Sequence, residues 1–146
     1  MRQDGWLLLF DSHFESQYQK LVEKVERAQH RLGDKASESN HFKRLAAIHK
    51  LVYEVIPKDP AHKDFMLGST LPGPYKSWRR AKFFQQYRLF FRLDTQTKVI
   101  IFSWFNDEDS LRAYGSKSDA YATFSKMLRK GKPPTTWQSL LDSLPK

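Results

Sequence analysis

The sequence predicts an α+β fold, and three observations carry that prediction. Residues 78–105, WRRAKFFQQYRLFFRLDTQTKVIIFSWF, read as three strands in a row. Apolar residues at steps of three and four mark two long helices before them, and shorter helical patterns follow. Helices and strands are thus segregated along the chain rather than alternating. At 146 residues the chain is long enough to bury a core as a single domain, residues 1–146.

Trp6–Phe10, WLLLF, is an all-apolar run suited to a buried strand of the same sheet. Ser12 with Glu15 three residues on forms a capping-box pattern. Phe14, Tyr18, Leu21, Val25, Ala28 and Leu32 then lay an apolar stripe along one helix, stopped at Gly33. Ser39 or Asn40 caps a second, with Phe42, Leu45, Ile48, Val52, Val55 and Ile56 inward and Pro57 at its end. Together the two cover one face of the sheet. Residues 57–76, with four prolines and two glycines, form a long irregular connection, either a functional loop or a plain surface excursion.

In the strands, Arg79, Ala81 and Phe83 alternate with Arg80, Lys82 and Phe84, and Leu89, Phe91 and Leu93 with Arg88, Phe90 and Arg92. Ile100, Phe102 and Trp104 alternate with Val99, Ile101 and Ser103. Gln85-Gln86 and residues 94–97 are the polar breaks, so the simplest topology is an antiparallel meander. Beyond it, Asn106-Asp107-Glu108 opens a helical turn through Leu111 and Tyr114, closed at Gly115. Ser118 or Asp119 caps a helix bearing Tyr121, Phe124 and Leu128, and Thr135 or Thr136 caps a last short one through Leu144.

Charge is unevenly spread. Between Tyr75 and Phe105 seven bases face only Asp94, and residues 106–132 add six bases against four acids, leaving +1 of the chain's +9 for everything else. Such asymmetry predicts a polyanion-facing sheet with a near-neutral helical back. Eleven Phe, six Tyr and four Trp interleave with these cations, which suits nucleic acid, where cations neutralise phosphate and rings stack on bases.

Other chemistries find little support. With no Cys there is neither a thiolate nucleophile nor a Cys-bound metal. The five histidines (13, 30, 41, 49 and 62) lie in the N-terminal half, and no pair shows metal-ligand spacing with a carboxylate on the same helix face, so no metal and no cofactor is expected. The segment from Gly68 to Gly73 lacks the phosphate-loop pattern, and no nucleophile elbow occurs. Trp6–Phe10 is too short for a leader or a membrane span, which makes the cytoplasm the expected compartment.

A site of cations and a tyrosine remains, and RNA is the substrate for which that suffices. Its 2′-hydroxyl can attack the adjacent phosphorus, so the protein need only orient the strand, move a proton and hold the growing charge. Arg80 and Lys82, two apart on one strand, leave the same face about 7 Å apart, and Arg88 starts the neighbouring strand. A solvated basic face that discourages edge aggregation would look the same. Arg79 and Arg92 are weaker candidates for strand contact. Lys117, Asp119 and Tyr121 precede or open the penultimate helix, where Tyr121 could move a proton, stack on a base or simply pack with Phe124. Arg112 and Tyr114 are further RNA-contact candidates, although Arg112 could equally pair with Asp109 or Glu108. Lys126, Arg129 and Lys130 could track a phosphate backbone or merely suit the helix dipole.

The segments WRRAKFFQQYRLFFRL and KVIIFSWFNDEDSLRAYGSKSDAYATFSKMLRKGKPPTTW closely resemble the YhaV toxins of type II toxin–antitoxin systems. GWLLLFDSHFESQY and HKLVYEVIPKDPAH fit the same family, so the resemblance covers nearly the whole chain. YhaV proteins are similar to the RelE superfamily of ribonuclease toxins, with a small antiparallel sheet against two N-terminal helices. The resemblance implies metal-independent RNA cleavage, inhibition of translation and neutralisation by a PrlF-type antitoxin with an AbrB-like DNA-binding domain. The pair would repress its own operon by binding operator DNA. It further implies that Arg80 is the catalytic strand arginine, with Lys82 and Arg88 as the other strand cations. Lys117 and Tyr121 are the nearest equivalents of the late basic residue and the terminal tyrosine. Some members carry a C-terminal histidine; none follows His62 here, so Tyr121 or a lysine would take its place. The competing readings are a non-catalytic RNA- or ribosome-binding module, and operator binding by this chain alone.

Overall fold

The three alternating segments pair as an antiparallel meander in the computed structural model, which describes residues 1–113 and 119–145. Two further strands precede them. Numbered along the chain, β1 is Arg2–Gln3, β2 Trp6–Phe10, β3 Arg79–Phe83, β4 Tyr87–Asp94 and β5 Val99–Phe105, in the spatial order β1-β2-β5-β4-β3. The expectation of a wholly antiparallel sheet is corrected at one seam, because β2 lies parallel to β5, with Leu7 beside Val99 and Phe10 beside Phe102. The reason is the connection: two helices follow β2 and carry the chain back across one face, as a parallel neighbour requires.

Those helices are α1, Ser12–Leu32, and α2, Asn40–Lys50. Asp11 rather than Ser12 caps α1, accepting from the His13 amide, while Gly33 at φ 56° ends it and donates to the Gln29 carbonyl. Ser39 caps α2 as expected, accepting from the Phe42 amide. The chain then widens into a π-helical turn over Leu51–Val55 and tightens into a 3₁₀ turn over Ile56–Lys58, so Pro57 sits inside the last turn. Phe14, Leu21, Ile48 and Val52 bury this layer against Ala81, Phe83, Leu89, Phe91, Ile100 and Phe102 of the sheet.

The opposite face is covered too. Asp119 caps α3, Ala120–Arg129, through the amides of Tyr121 and Ala122, and Thr136 caps α4, Trp137–Asp142. Tyr121, Phe124, Leu128 and Leu140 close over Trp78, Phe90, Ile101 and Trp104. Phe124 stacks on Phe90 at 4.2 Å between centroids and meets Trp78 edge-on at 5.1 Å. Each such pair adds about 0.5–1.5 kcal/mol beyond its buried area. A sheet with an open polyanion-facing side is therefore corrected to a sheet between two helical layers. Three of its cations, Arg80, Lys82 and Arg88, lie together toward the end where β3 turns into β4.

Candidate active site

Arg80 lies directly across from Phe90, and Lys82 from Arg88, so these three cations project from one sheet face beside the β3–β4 turn. Lys82 is exposed, whereas Arg80 and Arg88 are 9% and 7% exposed. The first residues of α3 bring Tyr121 between the arginines. Its hydroxyl oxygen accepts from Nε of Arg80 at 2.9 Å and from Nε of Arg88 at 3.0 Å.

Backbone carbonyls hold the rest of each guanidinium. Arg80 Nη1 donates to the carbonyls of Asp64 and Met66, contributed by the connection before β3. Arg88 Nη1 donates to the carbonyls of Gln85 and Tyr87 at the turn. Every acceptor is neutral, and among the described residues neither arginine is ion-paired or has a partner for Nη2. Two like charges, nearly buried and sharing one neutral oxygen, are costly to bring together. An anion arriving at their open Nη2 edges relieves that cost, and a phosphate oxygen pair fits the guanidinium fork.

Three groups that the sequence did not single out for the site support the arrangement. Asn106, fully buried, accepts from the Arg88 amide at 2.6 Å and donates to the carbonyls of Gln86 and Ser110, fixing the start of β4 against the end of β5. The remaining two are the Asp64 and Met66 carbonyls, since backbone acceptors leave no trace in side-chain patterns. Asp119, read from sequence as a cap, also accepts from Arg112 Nη1 and the Ala113 amide, each at 2.7 Å. Arg112 in turn lies over the Tyr121 ring at 4.8 Å, with Arg88 at 5.8 Å and Phe90 edge-on at 5.7 Å. With its ring 4% exposed and its neighbours in place, Tyr121 has no face for a base, which corrects the stacking alternative.

The other candidates are scattered. Arg79 is half-buried and leaves the opposite face, across from Phe91. Arg92 is sandwiched between the indoles of Trp78 and Trp137 and donates to the Thr135 carbonyl, which makes it a packing residue rather than a strand-facing cation. Burial pushes its pKa down. Lys126, Arg129 and Lys130 are exposed toward the far end of α3, roughly 8–14 Å along its axis from Tyr121 at 1.5 Å per residue. Lys117 and Tyr114 lie outside the described residues. Among the described residues no group of three or more His, Asp or Glu could hold a metal ion, and no helix is long and apolar enough to cross a membrane.

Burial raises the Asp119 pKa, but hydrogen bonds from Arg112, Ala113 and Tyr121 and the Arg112 charge outweigh it and hold the carboxyl below its ordinary value. A depressed folded-state pKa contributes stability that is complete above the unfolded value, about 4, and is lost as pH falls through the folded value. Asp119→Asn is accordingly expected to melt below wild type at pH 5–7, with the gap closing as pH drops below about 4. Melting curves across pH 3–7 check this; a constant gap would refute it.

The family described as toxin with endonuclease activity, of toxin–antitoxin system, matches residues 8–144. This chain belongs to the YhaV toxin family. It is 43% identical over 141 residues to a protein named toxin YhaV from Escherichia coli O6:H1, covering 95% of this chain and 92% of that one. To the ribonuclease toxin YhaV of Escherichia coli K12 it is 42% identical with the same coverage. No solved structure matches the chain. In this YhaV family member the arginine pair sits well inside the matched region, as do Tyr121 and Asp119.

Proposed function

We propose that this protein is a metal-independent endoribonuclease toxin whose active site is the Arg80–Arg88 pair joined through Tyr121. The observation that carries this reading is the convergence on one phenol oxygen of two nearly buried guanidinium groups, neither of them ion-paired among the described residues. The 2′-hydroxyl of the RNA attacks the neighbouring phosphorus, the P–O5′ bond breaks, and the products end in a 2′,3′-cyclic phosphate and a 5′-hydroxyl. Charge on the non-bridging oxygens grows along this path, and Arg80 and Arg88 meet it with preorganised N–H donors. Lys82, exposed in register with Arg88, and Lys117, just before Asp119, are the candidates for proton transfer. Tyr121 positions both arginines.

Cleavage of messenger RNA in the cytoplasm would stop translation, and a cognate PrlF-type antitoxin would restrain it, with the complex repressing the operon at its operator. An acidic or helical antitoxin segment laid over the arginine pair provides the restraint.

Purified protein incubated with a defined single-stranded RNA in EDTA tests the reaction. Cutting that leaves 2′,3′-cyclic phosphate or 3′-phosphate ends is expected. Absence of cutting, even with translating ribosomes added, would replace this reading with an RNA- or ribosome-binding module.

A further inference from the structure

The turn between β3 and β4 carries an exposed phenylalanine beside two cations of α2, a group that this chemistry leaves unused. Phe84 and Gln85 hold φ of 47° and 62°, a region that asparagine and glycine enter readily and a bulky residue does not. Burial does not compensate, since Phe84 is 53% exposed. Beside it lies a cavity of about 250 Å³ lined by Asn40, Lys43, Arg44, Phe84 and Tyr87.

Arg44 is under-paired for its position. It is 5% exposed and its guanidinium lies 5.2 Å over the Tyr87 ring. Its carboxylate contact among the described residues is Glu108 Oε1 at 3.5 Å, on a side chain 59% exposed, and its Nε is buried without a partner. A second cation, Lys43, opens into the same cavity. An exposed ring lining one cavity with two cations suits a stacked base with its phosphate. A purely acidic segment would use the cations and leave the ring's position unexplained.

The cavity is also coupled to the arginine pair. Tyr87 and Arg88 are consecutive on β4 and leave opposite faces, and Arg88 Nη1 holds the carbonyls of Gln85 and Tyr87. A strand passing the end of this hairpin meets both sides. We propose that the cavity is a second nucleotide subsite, taking a base of single-stranded RNA that flanks the scissile phosphate, stacked on Phe84, with its phosphate on Lys43 and Arg44. This rests on the ribonuclease reading above.

The test uses an RNA made uncleavable by a 2′-deoxy residue at the mapped cut site, with an abasic residue moved through the flanking positions and affinity read by fluorescence anisotropy. Wild type is expected to lose about tenfold at one flanking position. Phe84→Ala should lose about as much on the intact RNA and nothing further at that position, and Lys43→Ala should reduce the salt slope by about one. Phe84 is exposed, so the variant keeps the wild-type melting temperature within a few degrees. Wild-type affinity in Phe84→Ala, or losses that simply add at every position, would overturn the subsite. Unchanged RNA binding with lost antitoxin affinity would also overturn it, giving the patch to the antitoxin. If wild type neither binds nor cuts any RNA, the ribonuclease reading itself fails.

Discussion

Arg80→Ala is expected to slow RNA cleavage by about 10²–10³-fold, the usual cost of removing one preorganised donor from a site of developing charge. The expectation rests on what Arg80 already spends on the protein. Nε and Nη1 are committed to Tyr121, Asp64 and Met66, so the guanidinium is fixed before substrate arrives, and its Nη2 has no partner among the described residues. Alanine also strips a donor from three oxygens, each costing about 1–3 kcal/mol if it stays dry, so the variant loses stability as well as rate. Rates must therefore be read well below both melting temperatures. Arg80→Lys separates the effects: it keeps the charge, but a single ammonium cannot reach all three acceptors, and an intermediate rate is expected. A catalytic arginine costs far more at saturating RNA than it costs in affinity. Cleavage by Arg80→Ala within about threefold of wild type, or a loss confined to affinity, would return Arg80 to a binding role.

Much of the geometry of this candidate site is legible in the sequence because the relevant signals are local. Alternation in 79–93 placed Arg80 and Lys82 on one face, and the order of the strands put Arg88 beside them. Gly33 marks one helix end, and the pairs Ser39 or Asn40, Ser118 or Asp119 and Thr135 or Thr136 each contain the cap that forms, since a cap works within one turn. What escaped depends on distant contacts. Periodicity shows that α3 has an apolar face but not which side of the sheet receives it, so the basic face looked open. The parallel pairing of β2 with β5 joins residues some ninety apart, and no spacing records it. Arg92 carries the same alternation as Arg88, yet two tryptophans claim it, one just before β3 and one in α4. Asn106 looked like the start of a polar turn. Its burial makes it a clamp, and burial is a property of the assembled sheet.

Tyr121→Phe is the sharper probe of how the two arginines act. The substitution keeps the ring and its contact with Phe90 and removes only the oxygen on which both Nε groups converge. Without it each guanidinium can rotate away from the other, as two like charges will. A displacement on the order of 1 Å at the reacting phosphate is enough to cost up to about 10²-fold in rate. RNA affinity should change little, because both charges remain near the site. The pH profile separates positioning from proton transfer: a positioning tyrosine lowers the whole rate profile uniformly and leaves both limbs in place, whereas loss of a general acid removes one limb. Wild-type rates in Tyr121→Phe would mean that the carbonyls of Asp64, Met66, Gln85 and Tyr87 suffice to hold the pair. The preorganisation would then reside in the loop before β3 and in the hairpin turn, and the tyrosine would be only the roof of the core beneath them.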